Sequence, residues 1–447
     1  MKTNEHPTVQ KVLPRLTAEP PAPFPSPLDP AELKNLCLEA GADDAGFVEI
    51  GRTELGEDER AAILEAYPSC KALIGYVCRI NREPMRTTAR SVANLEFHQV
   101  GDQVNDVGRR IVTALEKKGV GAVNPAMGFP MEASRFPGRI WVVSHKLVAQ
   151  QAGLGVMGIH RNVIHPRFGN FILLGTILLD TEISQYDRPN EYAPCLECKL
   201  CVAACPVGAI SPMGDFNFNA CYTHNYREFM GGFTNWVEEV ADSRDRIDYH
   251  KRVPDNESVS MWQSLSYGAN YKAAYCMSVC PAGEEVIAPF LRNKKEFRDT
   301  TLKPLQEKQE TVYVIPGSDA ESHVARRFPH KSIRHVPGSL RPRSLDQFVR
   351  GLPLVFQPGQ SIGLDAVYHF TFFGREKRHL TVTIRNQNLN VVEGHEGHPS
   401  LRVKADTDTW LGFLAKEKAL FRALLRGKIL VLGNPLLLVR FGKCFPS

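Results

Sequence analysis

Cys195, Cys198, Cys201 and Cys205, with Pro206 directly behind them, are spaced C-x2-C-x2-C-x3-C-P. Three thiols at two-residue gaps wrap one corner of an iron–sulfur cube, while the fourth leads into a helix and serves a neighbouring cube. Zinc ribbons also use C-x2-C pairs, but a fourth cysteine at x3 followed by proline is not a zinc pattern. Four buried cysteines with no ligand are the plain alternative, and this spacing speaks against it. The chemistry to expect is one-electron transfer.

Downstream stand Cys221, Cys276 and Cys280, the last followed by Pro281. Cross-ligation puts Cys195, Cys198, Cys201 and Cys280 on one cluster and Cys205, Cys221 and Cys276 on the other. A complete second motif would carry a cysteine where Ala273 stands. The second site therefore reads as a three-iron cluster, a cube with a water or non-cysteine ligand, or a cube closed by a thiolate from elsewhere. Cys37, Cys70, Cys78 and Cys444 stay unplaced; Cys70 and Cys78 flank the apolar run 72–77 and read as small buried residues.

These ligands need elements to hold them, and 447 residues are enough for two or three domains. Residues 1–29, rich in proline, read as an extended, partly disordered arm that is neither a secretory nor a twin-arginine leader. Residues 30–186 alternate helical and strand patterns, with helices over 31–40 and 96–118 and buried strands over 72–77, 140–143 and 171–179, and form an α/β domain. The cluster module spans 187–293, with 54 residues inserted between Cys221 and Cys276. Residues 294–344, basic and proline-punctuated, read as a linker. From 345 to 447 alternating strands such as Leu380-Thr-Val-Thr-Ile384, followed by short apolar helices, give an α+β domain with antiparallel strands.

Gly153, Gly155 and Gly158 match G-x-G-x-x-G, yet a helix precedes them and His165-Pro166 follows. The dinucleotide fingerprint needs the opposite order, so these glycines are read as letting the backbone approach some other large ligand. The net charge of +5 is concentrated in the tail, where nine Lys and Arg face three acids beyond residue 400. A solvated basic face explains that; an anionic lipid surface, and after it RNA, are the sharper readings. No uninterrupted apolar run is long enough to span a membrane. The metal-like cysteine spacing argues against a disulfide framework and for the reducing cytoplasm.

Residues 30–293 resemble the epoxyqueuosine reductase and reductive dehalogenase superfamily. The likeness rests on Phe97-His98-Gln99, Ala152-Gly-Leu-Gly155-Val-Met-Gly158-Ile-His160, the runs 168–175 and 179–180, Cys195–Pro206 with Gly208-Ala-Ile210, Cys221, and Cys276–Pro281. It implies a cobalamin-binding α/β domain, a ferredoxin-like module with two [4Fe-4S] clusters, and an external electron donor such as ferredoxin or flavodoxin. His98, Gly153, Gly155, Gly158 and His160 become candidate corrinoid contacts; no catalytic acid is assigned, and His145 and His165 are the other histidines near these motifs. Two departures stand out. The queuosine branch has an aspartate general acid where this chain has Arg139, and it often ends in helical repeats that are missing here. On those grounds tRNA is not expected as a partner.

Residues 345–447 resemble a sterol carrier protein 2 (SCP2) domain through Tyr368-His-Phe-Thr-Phe372, Leu380-Thr-Val-Thr-Ile384, the Gly394 turn and residues 424–434. That implies an apolar tunnel for a lipid or other hydrophobic molecule, or a module for oligomerisation. The expected function is a cytoplasmic iron–sulfur, cobalamin-dependent reductase acting on a hydrophobic substrate. The alternatives are an electron-transfer or corrinoid-handling protein without small-molecule turnover, and a lipid-binding protein with a structural cluster module.

Overall fold

The computed structural model describes residues 3–18, 27–136, 138–338 and 341–446. Part of the expected arm is helical: Pro7–Ala18 form a helix with Pro14 inside it, while Pro20, Pro21, Pro23 and Pro25 lie outside the described residues.

The α/β domain begins with α1 (Pro30–Glu39), started by Pro30 and capped by the Asp29 carboxylate, which accepts from the amides of Ala31 and Glu32. Its sheet runs in the order β1 (Asp44–Glu49), β2 (Ala72–Arg79), β4 (Ile172–Leu179), β3 (Ala122–Val123), and every pairing is antiparallel. Apolar residues occupy both faces of β2 and β4, so both faces must be covered. The long helix α2 (Arg90–Lys117) covers one through Val100, Val104, Val107, Ile111 and Leu115, packed on Ile74, Tyr76 and Leu179. On the other, α3 (His145–Gln151) places Val148 and Ala149 against Leu73, Val77 and Leu178. Gly175 is required here, because a β-carbon would lie 2.1 Å from the Tyr76 ring. Residues 140–143, expected as a strand, are irregular. Ile140 and Val143 are buried, but Trp141 turns out to solvent and Arg139 takes the carbonyls of Trp141 and Val142, which a strand partner would need.

Three of the module's seven cysteines, Cys201, Cys221 and Cys276, sit on short helices, α4 (Leu200–Ala204), α5 (Phe218–His224) and α6 (Tyr275–Ser278), and the other four on the turns around them. The insertion between α5 and α6 folds mainly into helices over Gly231–Asp242, Arg246–Arg252 and Asp255–Tyr267. Residues 294–344 are not a linker. They include two parallel strands, β5 (Thr311–Val314) and β6 (Ser332–His335), joined through the helix Asp319–Arg327. Val312, Val314, Ala320 and Val324 share one core with Cys201 and Cys205, so this unit is the back wall of the module.

After helix α7 (Leu345–Val355) comes a sheet in the order β9 (Asn388–Glu393), β8 (Arg378–Arg385), β7 (Ala366–Phe373), β10 (Leu401–Asp406), β11 (Ile429–Gly433). The expected all-antiparallel sheet is mixed, since β10 runs parallel to β7. Helices α8 (Thr407–Leu414), α9 (Leu420–Leu425) and α10 (Leu436–Cys444) complete the domain. Leu380, Val382 and Ile384 are fully buried in a core filled by Phe348, Phe370, Phe372, Trp410 and Phe441; Phe370 and Phe372 stack in parallel, and the other rings meet them edge to face or tilted. The domain docks on the module by few polar contacts: Asp319 accepts from the Gly359 amide at 2.8 Å, and the Gln357 side-chain oxygen accepts from the Asp319 amide at 3.0 Å.

Candidate metal centre

The turn from Cys195 to Cys201 is wound tightly by two non-glycine residues in left-handed conformation, Glu197 (φ 49°) and Lys199 (φ 62°). Ala274 (φ 54°), two residues before Cys276, is a third. Each costs local strain that only a constrained site retains. Together with Cys280, which follows α6, this winding encloses a small cavity lined by Cys195, Cys198, Cys201 and Cys280 with Ile159, His160 and Pro281. The four cysteines expected on the first cluster thus meet around one space, with Cys280 arriving 85 residues after Cys195. Among the described residues no three His, Cys, Asp or Glu side chains close on a single-ion position.

The second set also converges. Cys205, Cys221 and Cys276 lie close enough to raise one another's pKa, after burial as the main cause. The Ala209 amide donates to the Cys205 sulfur at 3.3 Å, and the amides of Val207, Gly208 and Ile210 turn toward it as well. The Asn162 side-chain Nδ2 donates to the Cys276 sulfur at 3.9 Å. Ala273 is buried in the same cluster of side chains as Cys201 and Cys205, with Cys221 and Cys276 packed on it; its own amide and that of Ala274 donate to Asn225 Oδ1 at 3.0 and 2.7 Å. Burial pushes the Cys201 thiol up to about 12 and Cys276 to about 11, so loading a cluster must drive protons off them. The donor set fits two iron–sulfur clusters.

The two sites differ in surroundings. Cys195 and Cys198 are partly exposed beside exposed Tyr192 and Leu196, so the first site lies near the surface. Lys146 is reachable by solvent, yet burial lowers its pKa; Tyr226, half-buried, is raised by burial. Cys276 and Cys221 both act electrostatically on Lys146 and on Tyr226. The Lys146 ammonium donates to the Arg161 carbonyl at 2.6 Å and to Asn162 Oδ1 at 3.4 Å. Lys146, Asn162 and Tyr226 were missed from sequence, where nothing in their spacing ties them to a cysteine.

The residues assigned to a corrinoid do not form a cradle for one. His98 Nε2 is bonded to the Ala269 carbonyl at 2.7 Å, its ring stacks on Phe229, and Gly268 closes over it, so the insertion occupies that face. A β-carbon at Gly153 would meet the Arg188 carbonyl at 2.6 Å, one at Gly155 the Ile164 carbonyl at 2.5 Å, and one at Gly158 the Ile164 side chain at 2.7 Å. These glycines admit the protein's own chain, not a ligand. His160 belongs to the first cavity instead: its Nδ1 accepts from the Asn162 amide, its Nε2 is buried without a partner, and burial pulls its pKa down to about 4. His145 is satisfied at both nitrogens by Thr176 Oγ1 and the Ala126 carbonyl, and His165 pairs with Asp44. Arg139 is a strut, bonded to Glu59 at 2.8 Å and to the carbonyls of Asp58, Trp141 and Val142.

No protein-family model matches the chain. A stretch of 134 residues is 34% identical to an epoxyqueuosine reductase of Prochlorococcus marinus, covering 28% of this chain and 40% of that protein. Over this stretch the chain is similar in sequence to epoxyqueuosine reductases. It spans about two fifths of the length of the curated relatives it matches. Among solved structures, an epoxyqueuosine reductase from Streptococcus thermophilus shares 17% identity at a TM-score of 0.36, over 61% of this chain and 75% of that one. An epoxyqueuosine reductase solved with a tRNA-Tyr epoxyqueuosine-modified stem loop shares 13% at 0.35, over 66% and 88%. The expectation that tRNA is no partner is thereby corrected: the relatives carry the name of an enzyme that has been solved on tRNA, and the loss of an aspartate at Arg139 does not outweigh that. A palmitated SCP2-like protein of Aedes aegypti reaches only a TM-score of 0.19, at 18% identity over 22% of this chain and 87% of that one. No described helix is long and apolar enough to cross a membrane.

Proposed function

We propose that this chain is an iron–sulfur reductase of the epoxyqueuosine reductase type, acting on a modified nucleoside carried by tRNA. The observation that carries this reading is the convergence of seven cysteines from 195 to 280 into two adjoining sites, within a chain related to those enzymes. Iron–sulfur clusters, when bound, supply one-electron transfer. Cys195, Cys198, Cys201 and Cys280 hold the one near the surface, where an external donor such as ferredoxin or flavodoxin would dock beside Tyr192 and Leu196. Cys205, Cys221 and Cys276 hold the other, where Asn162 donates to the Cys276 sulfur and Lys146, bonded to Asn162, brings a positive charge. Arg139, tied into Glu59, supplies no proton, so the acid must come from another group. The superfamily also implies a corrinoid; the residues assigned to it do not cradle one, and cobalt therefore belongs in the same assay as iron.

A second reading, electron transfer to a partner without turnover, is favoured by the closure of the His98 face by Gly268 and Ala269. Anaerobic protein with iron, sulfide and cobalt quantified, reduced with dithionite and freed of excess, separates the two. Addition of an epoxyqueuosine-bearing tRNA stem loop should reoxidise the clusters. Reoxidation by an acceptor protein but not by the stem loop would favour the second reading, and zinc in place of iron and sulfide would end both.

A further inference from the structure

His160 lines the small cavity between Cys195, Cys198, Cys201 and Cys280, and its ring is fixed from two sides. Nδ1 accepts from the Asn162 amide at 3.1 Å, which commits that nitrogen's lone pair. The ring also rests against Gly158, where a β-carbon would stand 3.0 Å from Cε1 and 3.3 Å from Nε2. The third glycine of the motif thus makes room for an imidazole. A neutral imidazole carries one proton, and with Nδ1 accepting, that proton is on Nε2. Burial favours this neutral form. The residue is only 4% exposed, and Nε2 has no hydrogen-bond partner among the described residues. A buried donor left unpaired is costly and persists where something repays it. Around the cavity the other side chains are the four cysteines, apolar residues and Lys199, whose ammonium donates to the Pro212 carbonyl at 2.5 Å. The side-chain acceptors available there are sulfur atoms.

We propose that His160 is a positioning residue for the first cluster: its Nε2–H donates to a sulfur of the cluster held by Cys195, Cys198, Cys201 and Cys280, and this bond holds the reduction potential up. The proposal rests on these four cysteines binding an iron–sulfur cluster. Four thiolates leave no iron in need of an imidazole, and Nε2 already bears its proton, so the contact is N–H to sulfur and not nitrogen to iron. One electron passes to the cluster from a low-potential one-electron donor (dithionite in the assay, oxidised to sulfite). The added negative charge strengthens the hydrogen bond and so favours the reduced state. The proton stays on Nε2, and no covalent bond forms or breaks. Asn162 links the two sites, since its backbone amide orients His160 while its side chain donates to the Cys276 sulfur of the second.

Two substitutions separate the donor from the fit of the ring. His160→Asn keeps an acceptor for the Asn162 amide but has no donor at the Nε2 position, whereas the longer side chain in His160→Gln returns an N–H there. Anaerobic redox titration of the full chain followed by electron paramagnetic resonance reads the two clusters separately. His160→Asn should make the first cluster about tenfold harder to reduce at fixed potential, a shift of about 59 mV downward for one electron, with a smaller change at the second. His160→Gln should recover most of that shift. Wild-type protein with isotopically labelled histidine nitrogen should show a weak nitrogen coupling to the reduced first cluster in pulsed resonance. An unchanged first-cluster potential in His160→Asn with iron retained, equal shifts of both clusters, or His160→Gln no better than His160→Asn overturns the proposal. A coupling as large as that of an iron-bound nitrogen overturns it as well. Where both variants lose iron, the wild-type coupling decides, and its absence assigns His160 to packing. Wild-type protein without iron and sulfide fails the reading beneath it instead.

Discussion

The cluster module and the C-terminal domain are built on opposite principles. In the module, short helices and left-handed turns at Glu197, Lys199 and Ala274 bend the backbone around sulfur atoms, and buried polar groups such as His224 Nε2 and Asn235 Nδ2 are left without protein partners. In the domain, strands of up to eight residues alternate cleanly, and Phe348, Phe370, Phe372, Trp410 and Phe441 fill the interior. The first region spends its stability on ligands and regains it when they bind; the second is stabilised by apolar burial alone. Metal removal should therefore undo one and spare the other.

Cys198→Ala tests that contrast most severely. It should cost about half the iron of a two-cluster protein and loosen residues 187–335, while circular dichroism of the C-terminal sheet persists. Retention of full iron would show that the cavity is held by other donors. Next in size, Trp410→Ala empties a large fully buried site and should destabilise the domain by about 3–5 kcal/mol. Calorimetry should show its transition moving down with iron content unchanged. Loss of iron as well would mean that the Asp319–Gly359 contact couples the regions more strongly than its few bonds imply.

A subtler probe is Ala273→Cys. Because Ala273 stands where the second motif lacks its cysteine, the new thiol should convert a three-iron or atypical resonance into that of an ordinary cube at little cost in stability. Two ordinary cubes in the wild type would mean that another ligand already closes the site. The smallest effect is on pH. Burial holds His224, on α5, neutral with its pKa down at about 4, whereas the unfolded chain takes up that proton near pH ~6.5. Its contribution is complete above 6.5 and is lost progressively as pH falls toward 4. Urea midpoints of the module should drop over that window, and His224→Asn should flatten the slope; a slope unchanged by the substitution would assign it elsewhere.

The cysteine sites were readable because ligand spacing is a short-range code: two-residue gaps fix three sulfurs before any tertiary contact is known. Strands with strict alternation, such as 380–384, were readable for a similar reason, as was the helix beginning before Val100. What failed was long-range. The four-residue strands 311–314 and 332–335 are too short to show a period, so a folded wall read as a linker. Parallel pairing of 401–406 with 366–373 leaves no mark on either strand. His98 and the three glycines sit in a recognisable motif, but a motif does not say whether a ligand or the chain's own insertion will cover it. Lys146 is brought to the second site only by the fold.

The 85 residues that separate Cys195 from Cys280 also have a meaning in time. A ribosome adding roughly 5–20 residues per second needs about 4–17 s to cover that distance. Throughout that interval the nascent chain displays three closely spaced thiols whose fourth partner has not been made. On the proposed reading, the first cluster cannot be closed by its fourth thiolate until Cys280 has been made. Slowing translation between codons 201 and 280 should accordingly lower the fraction of chains that emerge correctly loaded.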